Sequence, residues 1–470
     1  MSANLELVRF LEGKKILVWG LGREGKATID LLHRYLPGQP FAVADRSPEA
    51  LEAAELATFR VDRYEEAEAL RRLPEFDLIL KAPGIPTRHL ALDGEAAKVN
   101  CQTGLFLRFA PCPVIGVTGT KGKSTTASLL AHICRSAGRK TFLVGNIGIP
   151  PFAVWGDLDP GSIVVCELSS YQLEFAQSSP QIALWTNLYP EHLDFHGSFA
   201  AYARAKSAIA RWQSAEDVLI YSAADPALAD RLQKEGDTGA GRRIPYRGPT
   251  DLPMIDFSRF QPLGEHNRKN AAAALLAANV LGIEESAMQE AIDSFSPLPH
   301  RLEPAGLVGE ISFYNDSIST VPESALVALA ALPNARTLIV GGQDRGLLLE
   351  GFARSLAKVR SLQTIILLPE TGSRLGELLR RADPPFAGTL RFAETLEAAV
   401  RMALVDTPQG ASCLFSPAAP SYNAFRNFEE RGSHFMALIR RARQETERTT
   451  GTDISAACLA ERMGRQGFEP

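Results

Sequence analysis

The sequence has few cysteines, no long apolar run and no signal-peptide core. Its six cysteines are scattered over 470 residues and form no CxxC pair, which favours buried thiols in a reducing compartment over disulfides or a zinc site. No apolar stretch approaches the ~18 residues that a membrane span needs, and the first residues, MSANLELVRFLEGKK, mix charges into the apolar positions. We therefore expect a cytoplasmic protein without a membrane span.

The chain also lacks an excess of charge of one sign. It contains 50 basic and 54 acidic residues, which give a formal net charge of −4. Without a strong positive field we expect no nucleic-acid partner, and any polyanion must bind at a local site. The hydrophobic fraction of 45% and the length are typical of a globular protein of roughly two to four domains. We expect it to act as a monomer.

Three stretches of the chain each open with a short apolar strand and then alternate strands with helices, the pattern of parallel α/β sheets. The first starts at KILVW, the second at PVIGVTGT, and the third carries ISFYND and TLIVGG. We predict an α/β protein with an N-terminal Rossmann-like domain, a central P-loop ATPase-like domain with a parallel sheet, and a C-terminal Rossmann-like domain. The predicted boundaries are 1–106, 107–299 and 300–445, with a polar tail at 446–470.

A glycine-rich loop, GVTGTKGKSTT at 116–126, lies between an apolar strand and a predicted helix. Glycines allow backbone N–H groups to converge on a phosphate, and the helix N-terminus adds partial positive charge. Lys123 supplies a full charge, and the Ser124 hydroxyl can ligate Mg²⁺. The alternative is a glycine turn with an incidental GKS, but the strand before and the helix after it favour a site for ATP or a similar nucleotide.

Acidic and imidazole side chains follow the next apolar strands. Glu167 comes directly after SIVVC, while His192, Asp194 and His196 lie in NLYPEHLDFH after IALWT. Ligands of open α/β sheets gather at such strand ends. Taken singly, Glu167 could cap a helix and His192 could be an ordinary loop histidine, and the same holds for Asp194 and His196. Their occurrence together after a phosphate loop predicts a Mg²⁺ site.

Seven segments resemble the Mur ligase family, the ATP-dependent amide ligases of peptidoglycan synthesis. In the family's order they are GTKGKSTT, ELSSYQLE, NLYPEHLD, YARAK, GEHNRKNAAAA, HRLE and NDS. Within the family, the chain looks most like the members that add glutamate to UDP-N-acetylmuramoyl-L-alanine. The segments that carry this likeness are the start GLGREG, the segment LKAPGIP and the ending SPAAPSYNAFRNFEERGSHF. The resemblance extends over most of the chain, and seven motifs in order make it specific.

This resemblance implies ATP-dependent ligation of glutamate through an acyl phosphate, with ATP and two Mg²⁺ ions as cofactors. D-glutamate is the expected enantiomer, and L-glutamate remains the alternative. The implied catalytic residues are Lys123, His192 and Lys206, the last as a carbamate. The implied metal ligands are Ser124, Glu167, His192 and Lys206. The implied ATP contacts are Gly119, Thr120, Lys121, Gly122, Lys123, Ser124, Thr125, Asn270, Arg301 and Asp316.

The N-terminal GLGREG, with Asp45 some twenty residues on, also fits the fingerprint of a dinucleotide site. On these residues alone NAD and a UDP-sugar both remain open. The resemblance favours the diphosphate of UDP-N-acetylmuramoyl-L-alanine. The implied contacts to this substrate are Gly20, Gly22, Gly25, Asp45, Arg46, Gly84, Asn146, Ser169 and Gln172.

The implied contacts to glutamate are Thr320, Arg345, Ser421 and Phe428. Arg345 stands where the family often has lysine, and arginine can hold a carboxylate through two hydrogen bonds. Ile318 replaces a lysine that many members carry, which weakens the inference to the D-enantiomer. Gln102 and Thr103 replace a usual acidic residue, a change that the sequence does not explain.

Other functions remain open on the sequence. A sibling Mur enzyme or a folylpolyglutamate-type ligase would share the central motifs, although the full N-terminal domain argues against the folate enzyme. A P-loop ATPase that acts on macromolecules would need a Walker-B aspartate and usually a basic face, whereas the strand here ends in Glu167 and the net charge is −4. An NAD-dependent oxidoreductase would leave the phosphate loop unexplained.

Overall fold

The computed structural model describes residues 2–53, 56, 59, 61–87, 94–233 and 238–464. The chain divides into two compact units. The first unit comprises Met1–Phe260 and His266–Phe295, and the second comprises Gln261–Glu265 and Ser296–Pro470. Within the described residues, no helix is both long enough and apolar enough to cross a membrane.

The first sheet belongs to the first unit. Its strands are β1 (Ile16–Trp19), β2 (Phe41–Asp45), β3 (Val61–Glu65), β4 (Leu78–Lys81) and β5 (Val99–Asn100). The accompanying helices are α1 (Ser2–Leu11), α2 (Arg23–Tyr35), α3 (Pro48–Leu51), α4 (Glu66–Arg72) and α5 (Gln102–Phe109). The strands are parallel in the order β3-β2-β1-β4-β5. The loops after β1, β2 and β4 therefore emerge side by side.

The second sheet also belongs to the first unit. Its strands are β6 (Val114–Thr118), β7 (Thr141–Gly145), β8 (Ile163–Glu167), β9 (Ile182–Trp185), β10 (Val218–Ser222) and β11 (Arg242–Tyr246). Its helices are α6 (Lys123–Ser136), α7 (Ser170–Leu173), α8 (Leu193–His196), α9 (Phe199–Arg211), α10 (Pro226–Gln233), α11 (Glu265–Val280) and α12 (Glu285–Ser294). The parallel order is β11-β10-β9-β6-β8-β7. The phosphate loop after β6 thus lies between the ends of β8 and β9.

The third sheet forms the second unit. Its strands are β12 (Glu303–Val308), β13 (Ile311–Asn315), β14 (Ala335–Gly342), β15 (Thr364–Glu370), β16 (Thr389–Phe392) and β17 (Ser412–Phe415). Its helices are α13 (Pro322–Ala331), α14 (Glu350–Ala357), α15 (Thr371–Arg381), α16 (Leu396–Asp406) and α17 (Phe428–Gly464). The order is β12-β13-β17-β14-β15-β16, with only the β12–β13 pair antiparallel among the described strands.

Burial follows the sequence pattern of the central strands. Every residue of β1, β6 and β8 is buried, as expected for parallel strands covered by helices on both faces. Full burial of one such aliphatic side chain is worth about 1.5–3 kcal/mol, so these strands fix the positions of the loops that follow them. This architecture confirms the predicted α/β class with parallel sheets.

One detail differs from the sequence prediction. Helix α17 continues through most of the residues predicted as a polar tail. Residues 465–470 lie outside the described part of the chain. Among the cysteines, those at 101, 112, 134, 166 and 413 are free and buried, which confirms the expected thiols at these positions.

Candidate active site

The phosphate loop is shaped by its glycines and by Asn270. Gly122 has a φ of 86°, and a Cβ at this position would lie 2.3 Å from the Asn270 Oδ1 atom. Glycine is therefore required both for the backbone conformation and for the close approach of α11. The Lys123 Nζ atom donates to the carbonyl oxygens of Gly119 and Thr120, each at 3.0 Å. The predicted ATP contact Asn270 thus packs directly against the backbone of the phosphate loop.

The end of β9 holds the other side of this loop. The Lys121 amide donates to the Asn187 Oδ1 atom at 2.8 Å, and the Thr186 hydroxyl donates to the Lys121 carbonyl oxygen at 2.8 Å. The Lys121 Nζ atom forms an ion pair with Glu191. Sequence reasoning did not single out Thr186, Asn187 or Glu191, although their positions after a buried strand carried the signal.

Lys206 lies beneath the phosphate loop. It projects from α9, is 1% exposed, and its Nζ atom donates to the Gly119 carbonyl oxygen at 2.7 Å and to the Thr118 hydroxyl at 3.3 Å. Burial, reinforced by the nearby Lys123, lowers the pKa of Lys206 well below its usual value. The neutral amine is therefore strongly favoured relative to a solvated lysine.

Glu167 ends β8 with a carboxylate that is only half satisfied. The residue is 1% exposed. Its Oε1 atom accepts a hydrogen bond from the Asn146 Nδ2 atom at 2.7 Å, while its buried Oε2 atom has no hydrogen-bond partner. An unpaired buried carboxylate oxygen is costly unless a cation binds it. Glu167 is therefore suited to hold a metal ion.

His192 stands at the start of α8 in a left-handed conformation, with a φ of 56°. Its ring packs 5.0 Å from the Tyr171 ring. Burial lowers its pKa, and Lys123 and Lys206 act in the same direction while Glu191 opposes them. A neutral imidazole has one ring nitrogen with a free lone pair, which can bind a metal ion.

His196 has a different environment. Its Nε2 atom lies 3.0 Å from the Ser170 hydroxyl, and burial lowers its pKa to about 4. It is a packed, hydrogen-bonded histidine, which agrees with the ordinary alternative considered from the sequence.

The residues fit a magnesium site of one particular kind. In the described part of the chain, no group of three or more histidine, cysteine, aspartate or glutamate side chains converges in the manner of a protein-only metal cage. Mg²⁺ usually takes one or two protein oxygens and completes its shell with phosphates and water. The unpaired Oε2 atom of Glu167, beside the phosphate loop through the β6–β8 pairing, meets that requirement.

A cavity of about 570 Å³ joins the loops of the first and second sheets. The residues predicted to bind the UDP-sugar that line it are Gly20, Gly22, Asp45, Gly84, Asn146, Ser169 and Gln172. Gly25 and Arg46 are not among its lining residues. A Cβ on Gly25 would lie 1.9 Å from the Gly20 carbonyl oxygen, so Gly25 shapes the loop, and the exposed Arg46 pairs with Glu66.

Asp45 binds the backbone of the first glycine loop. Its Oδ2 atom accepts from the Leu21 amide at 2.7 Å, and its Oδ1 atom accepts from the Ser47 amide at 3.0 Å. The loop after β1 is therefore fixed to the end of β2. The dinucleotide fingerprint singled out Asp45, but the sequence did not indicate these backbone contacts.

Glu24 is a cavity residue that sequence reasoning missed. Its Oε1 atom accepts from the Gln172 Nε2 atom at 2.8 Å, and burial raises its pKa. Gln102 donates to the Glu24 carbonyl oxygen at 2.7 Å and to the Thr28 hydroxyl at 2.8 Å. These contacts account for glutamine at 102. Nothing in the structure explains Thr103.

Two further predicted ATP contacts, Arg301 and Asp316, belong to the second unit. Asp316 is 3% exposed. Its Oδ1 atom accepts from the Leu302 amide at 3.2 Å, and its Oδ2 atom accepts from the Ser416 hydroxyl at 2.8 Å. Burial raises the pKa of Asp316 to about 6, although nearby Arg301 opposes the shift. Asp316 thus fixes the loop after β13 to the end of β17.

The predicted glutamate contacts gather at neighbouring strand ends of the third sheet. Thr320 follows β13, Arg345 follows β14, and Ser421 follows β17, and these strands are adjacent. Phe428 joins them because its carbonyl oxygen accepts from the Ser317 hydroxyl at 2.8 Å.

Arg431 is a buried residue of this region that the sequence did not single out. It is 2% exposed and donates to the carbonyl oxygens of Ser317 and Ala419 at 2.8 and 3.0 Å. Burial lowers its pKa to about 10. It therefore ties the loop after β13 to the loop after β17.

Comparisons with known proteins show the family of this chain. Residues 117–240 match the Mur ligase middle domain. A Xanthomonas euvesicatoria protein named UDP-N-acetylmuramoyl-L-alanine–L-glutamate ligase is 39% identical over 453 residues, which cover 91% of this chain and 95% of that protein. The chain belongs to the Mur ligase family. A Symbiobacterium thermophilum relative, named UDP-N-acetylmuramoylalanine–D-glutamate ligase, is 36% identical and covers 91% of this chain and 98% of its own length.

Solved structures of Mur ligases share the fold of this family member. MurF from Acinetobacter baumannii has a TM-score of 0.57 at 16% identity and covers 93% of this chain and 98% of its own. MurF from Thermotoga maritima, solved in complex with ADP, has a TM-score of 0.55 at 15% identity and covers 92% and 96%. At these identities the likeness shows the Mur ligase fold.

Proposed function

We propose that this Mur ligase joins glutamate to UDP-N-acetylmuramoyl-L-alanine and converts ATP to ADP and phosphate, as a step in peptidoglycan precursor synthesis. The observation that carries the proposal is the cavity shared by the first two sheets. One of its lining residues, Asn146, donates directly to Glu167 beside the phosphate loop. The names of the Xanthomonas and Symbiobacterium relatives support the same pair of substrates. We propose a cytoplasmic location, because ATP and a UDP-sugar are both available there.

The first chemical step brings two anions together. The alanine carboxylate forms a bond to the γ-phosphorus of ATP as the bond to ADP breaks, which gives an acyl phosphate. Lys123 and the backbone amides of the phosphate loop hold the phosphates in line and offset the charge. The glutamate amine then attacks the acyl carbon, a C–N bond forms, phosphate leaves, and the amine loses a proton. The same donors stabilise the oxyanion of the tetrahedral intermediate.

Ser124, Glu167, His192 and Lys206 as a carbamate would hold two Mg²⁺ ions. Bound there, the ions neutralise phosphate oxygens and the developing charge. The unpaired Oε2 atom of Glu167 and the neutral imidazole of His192 support this assignment. The lowered pKa of Lys206 leaves an amine that can add CO₂, and the carbamate that results is an anion with two oxygens.

The remaining contacts stay as the sequence predicts them. We propose that the phosphate loop at 119–125, with Asn270, Arg301 and Asp316, binds ATP, and that the first sheet's loops with Asn146, Ser169 and Gln172 bind the UDP-sugar. Glutamate would be bound by Thr320, Arg345, Ser421 and Phe428. Donors predominate in this last set, which favours an acceptor with two carboxylates over one with a distal amine.

Product analysis tests the proposal. ADP and phosphate should appear only when UDP-N-acetylmuramoyl-L-alanine and an amino acid are both present, and D-glutamate, L-glutamate, lysine and diaminopimelate are compared in parallel. We expect saturation by glutamate at the lowest concentration. Saturation by lysine or diaminopimelate at lower concentrations would overturn the acceptor.

The enantiomer is a separate question. The two relatives named above carry opposite enantiomers in their names, so the D-glutamate expectation stays a prediction. A lower KM for L-glutamate would overturn that part alone, and Ile318, which replaces a family lysine, would be the first position to vary.

A further inference from the structure

The loops after β14 and β17 continue side by side beyond the ends of their strands. The Gly341 amide donates to the Pro417 carbonyl oxygen at 2.8 Å, and the Gln343 amide donates to the Pro420 carbonyl oxygen at 2.9 Å. A Cβ on Gly342 would lie 2.5 Å from the Pro420 oxygen. The two backbones therefore approach too closely for a side chain at 342, and their relative register is fixed.

This register brings Arg345 to Tyr422. The guanidinium carbon of Arg345 lies 5.0 Å from the centre of the Tyr422 ring, within the range of a cation–π contact. The Arg345 Nε atom donates to the Gln343 Oε1 atom at 3.1 Å. The cation–π contact and this hydrogen bond together restrict the orientation of the guanidinium.

The acid next to Arg345 in the chain is paired with another arginine. Asp344, its neighbour in the chain, is held instead by Arg374, whose Nη1 atom lies 2.7 and 2.6 Å from the two carboxylate oxygens. None of the ion pairs within the described residues includes Arg345. Both Arg345 and Tyr422 are exposed, and Tyr422 is 58% exposed despite the stacking. An oriented guanidinium thus faces solvent beside Ser421.

We propose that Tyr422 is a positioning residue for the amino-acid acceptor. Its ring holds the Arg345 guanidinium so that the in-plane N–H groups can bind the side-chain carboxylate of glutamate through two hydrogen bonds. This inference rests on the proposed function and adds Tyr422 to it. It also gives a reason for arginine where the family often has lysine, because only a planar cation can stack on a ring and donate along its edge at the same time.

A double-mutant cycle tests the pairing, with KM for glutamate measured at saturating ATP and UDP-sugar. Tyr422→Leu should raise this KM about two- to fivefold, the scale of an exposed cation–π contact, and leave the KM for ATP unchanged. In an Arg345→Met background the same substitution should have no further effect. Tyr422→Phe keeps the ring and should restore the wild-type KM.

Phe392→Leu is the matched control. It removes a similarly exposed ring from Arg380, 5.2 Å away, at the edge strand β16 of the third sheet. It should not change the KM for glutamate, and thermal melts of all variants check folding. Equal effects of Tyr422→Leu in both backgrounds, or a defect in Tyr422→Phe as large as in Tyr422→Leu, would overturn the role of the ring. An unchanged glutamate KM in Arg345→Met would instead overturn the proposed acceptor site, and absence of glutamate ligation by the wild type would overturn the proposed function.

Discussion

The chain contains two glycine loops with the same plan and different surroundings. GLGREG joins β1 to α2, and GTKGKST joins β6 to α6, so each aims backbone amides and a helix N-terminus at one edge of a parallel sheet. Around the first loop lie the acids Asp45 and Glu24, together with Arg23 of the loop itself. Around the second lie Lys121, Lys123 and Lys206.

The difference fits the two kinds of phosphate that we propose. A diphosphate that stays esterified needs a shaped backbone cradle, which Asp45 supports by accepting the Leu21 and Ser47 amides. A phosphoryl group in transfer develops charge that the protein must offset at that moment. Lysines are therefore concentrated at the second loop. Four substitutions test this contrast.

Lys123→Ala should have the largest effect. We expect kcat for ligation to fall by about 10²–10³-fold, because the substitution removes a charge needed as phosphoryl transfer proceeds. Circular dichroism and thermal melts should match the wild type. Lys140→Ala, which removes a half-exposed lysine paired with Asp159, is the charge control. A Lys123→Ala enzyme that keeps more than about a tenth of the wild-type turnover would contradict the contrast.

Lys206→Ala should be nearly inactive and should recover with a small carboxylate. The carbamate predicted at Lys206 supplies two oxygens to a cation, and formate or acetate can occupy the space that the shortened side chain leaves. Activity is measured against formate concentration, with Lys140→Ala as the control that should not respond. Full activity without an additive would remove Lys206 from the site.

Asp45→Asn should weaken the first loop alone. The substitution replaces one carboxylate oxygen by an NH₂ group, which cannot accept the hydrogen bond from the backbone amide. Hydrogen bonds to charged groups are worth about 1.5–3 kcal/mol. We expect KM for the UDP-sugar to rise about tenfold or more while KM for ATP stays constant. Asp77→Asn is the matched control, because Asp77 accepts the Lys15 amide at 2.8 Å at the opposite end of β1. Equal changes in the KM for the UDP-sugar and the KM for ATP would contradict the assignment of the two substrates to separate loops.

Glu24→Gln should alter the pH dependence of stability, the smallest of the four effects. Burial raises the pKa of Glu24 above its ordinary value of 4.5, with Gln172, Lys81 and Arg23 opposing. The folded state therefore binds the proton more tightly, and the free energy of unfolding falls as pH rises above 4.5, by at most about 1.4 kcal/mol per pH unit. Glutamine removes this titration. In urea unfolding between pH 4.5 and 7, the free energy of unfolding should fall less steeply with pH for the variant than for the wild type. Identical slopes would contradict an environment that favours the neutral form of the Glu24 carboxyl group.

Sequence patterns predicted the central strands better than the edge strands. KILVW, PVIGVTGT and SIVVCE are apolar runs that become β1, β6 and β8, each buried throughout. The edge strands β3 and β16 read VDRYE and TLRF and are largely exposed. A strand that is partly exposed to solvent carries charged residues. Its sequence therefore lacks the continuous apolar run that is typical of a buried strand.

The sequence by itself determined the phosphate loop and the succession along the chain of the apolar strands that surround it. Glycines, Lys123 and Ser124 are contiguous, and their conformations follow from local backbone requirements and a following helix. Only the tertiary structure decided which distant residues meet there: Asn146 on Glu167, Gln172 on Glu24, and Arg345 on Tyr422. These pairs are joined by hydrogen bonds and a cation–π contact between residues separated in the chain. Asn146 and Arg345 meet their partners because neighbouring strands pair in a fixed register, and Gln172 meets Glu24 because parts of the first and second sheets meet at one cavity. No local pattern specifies either arrangement.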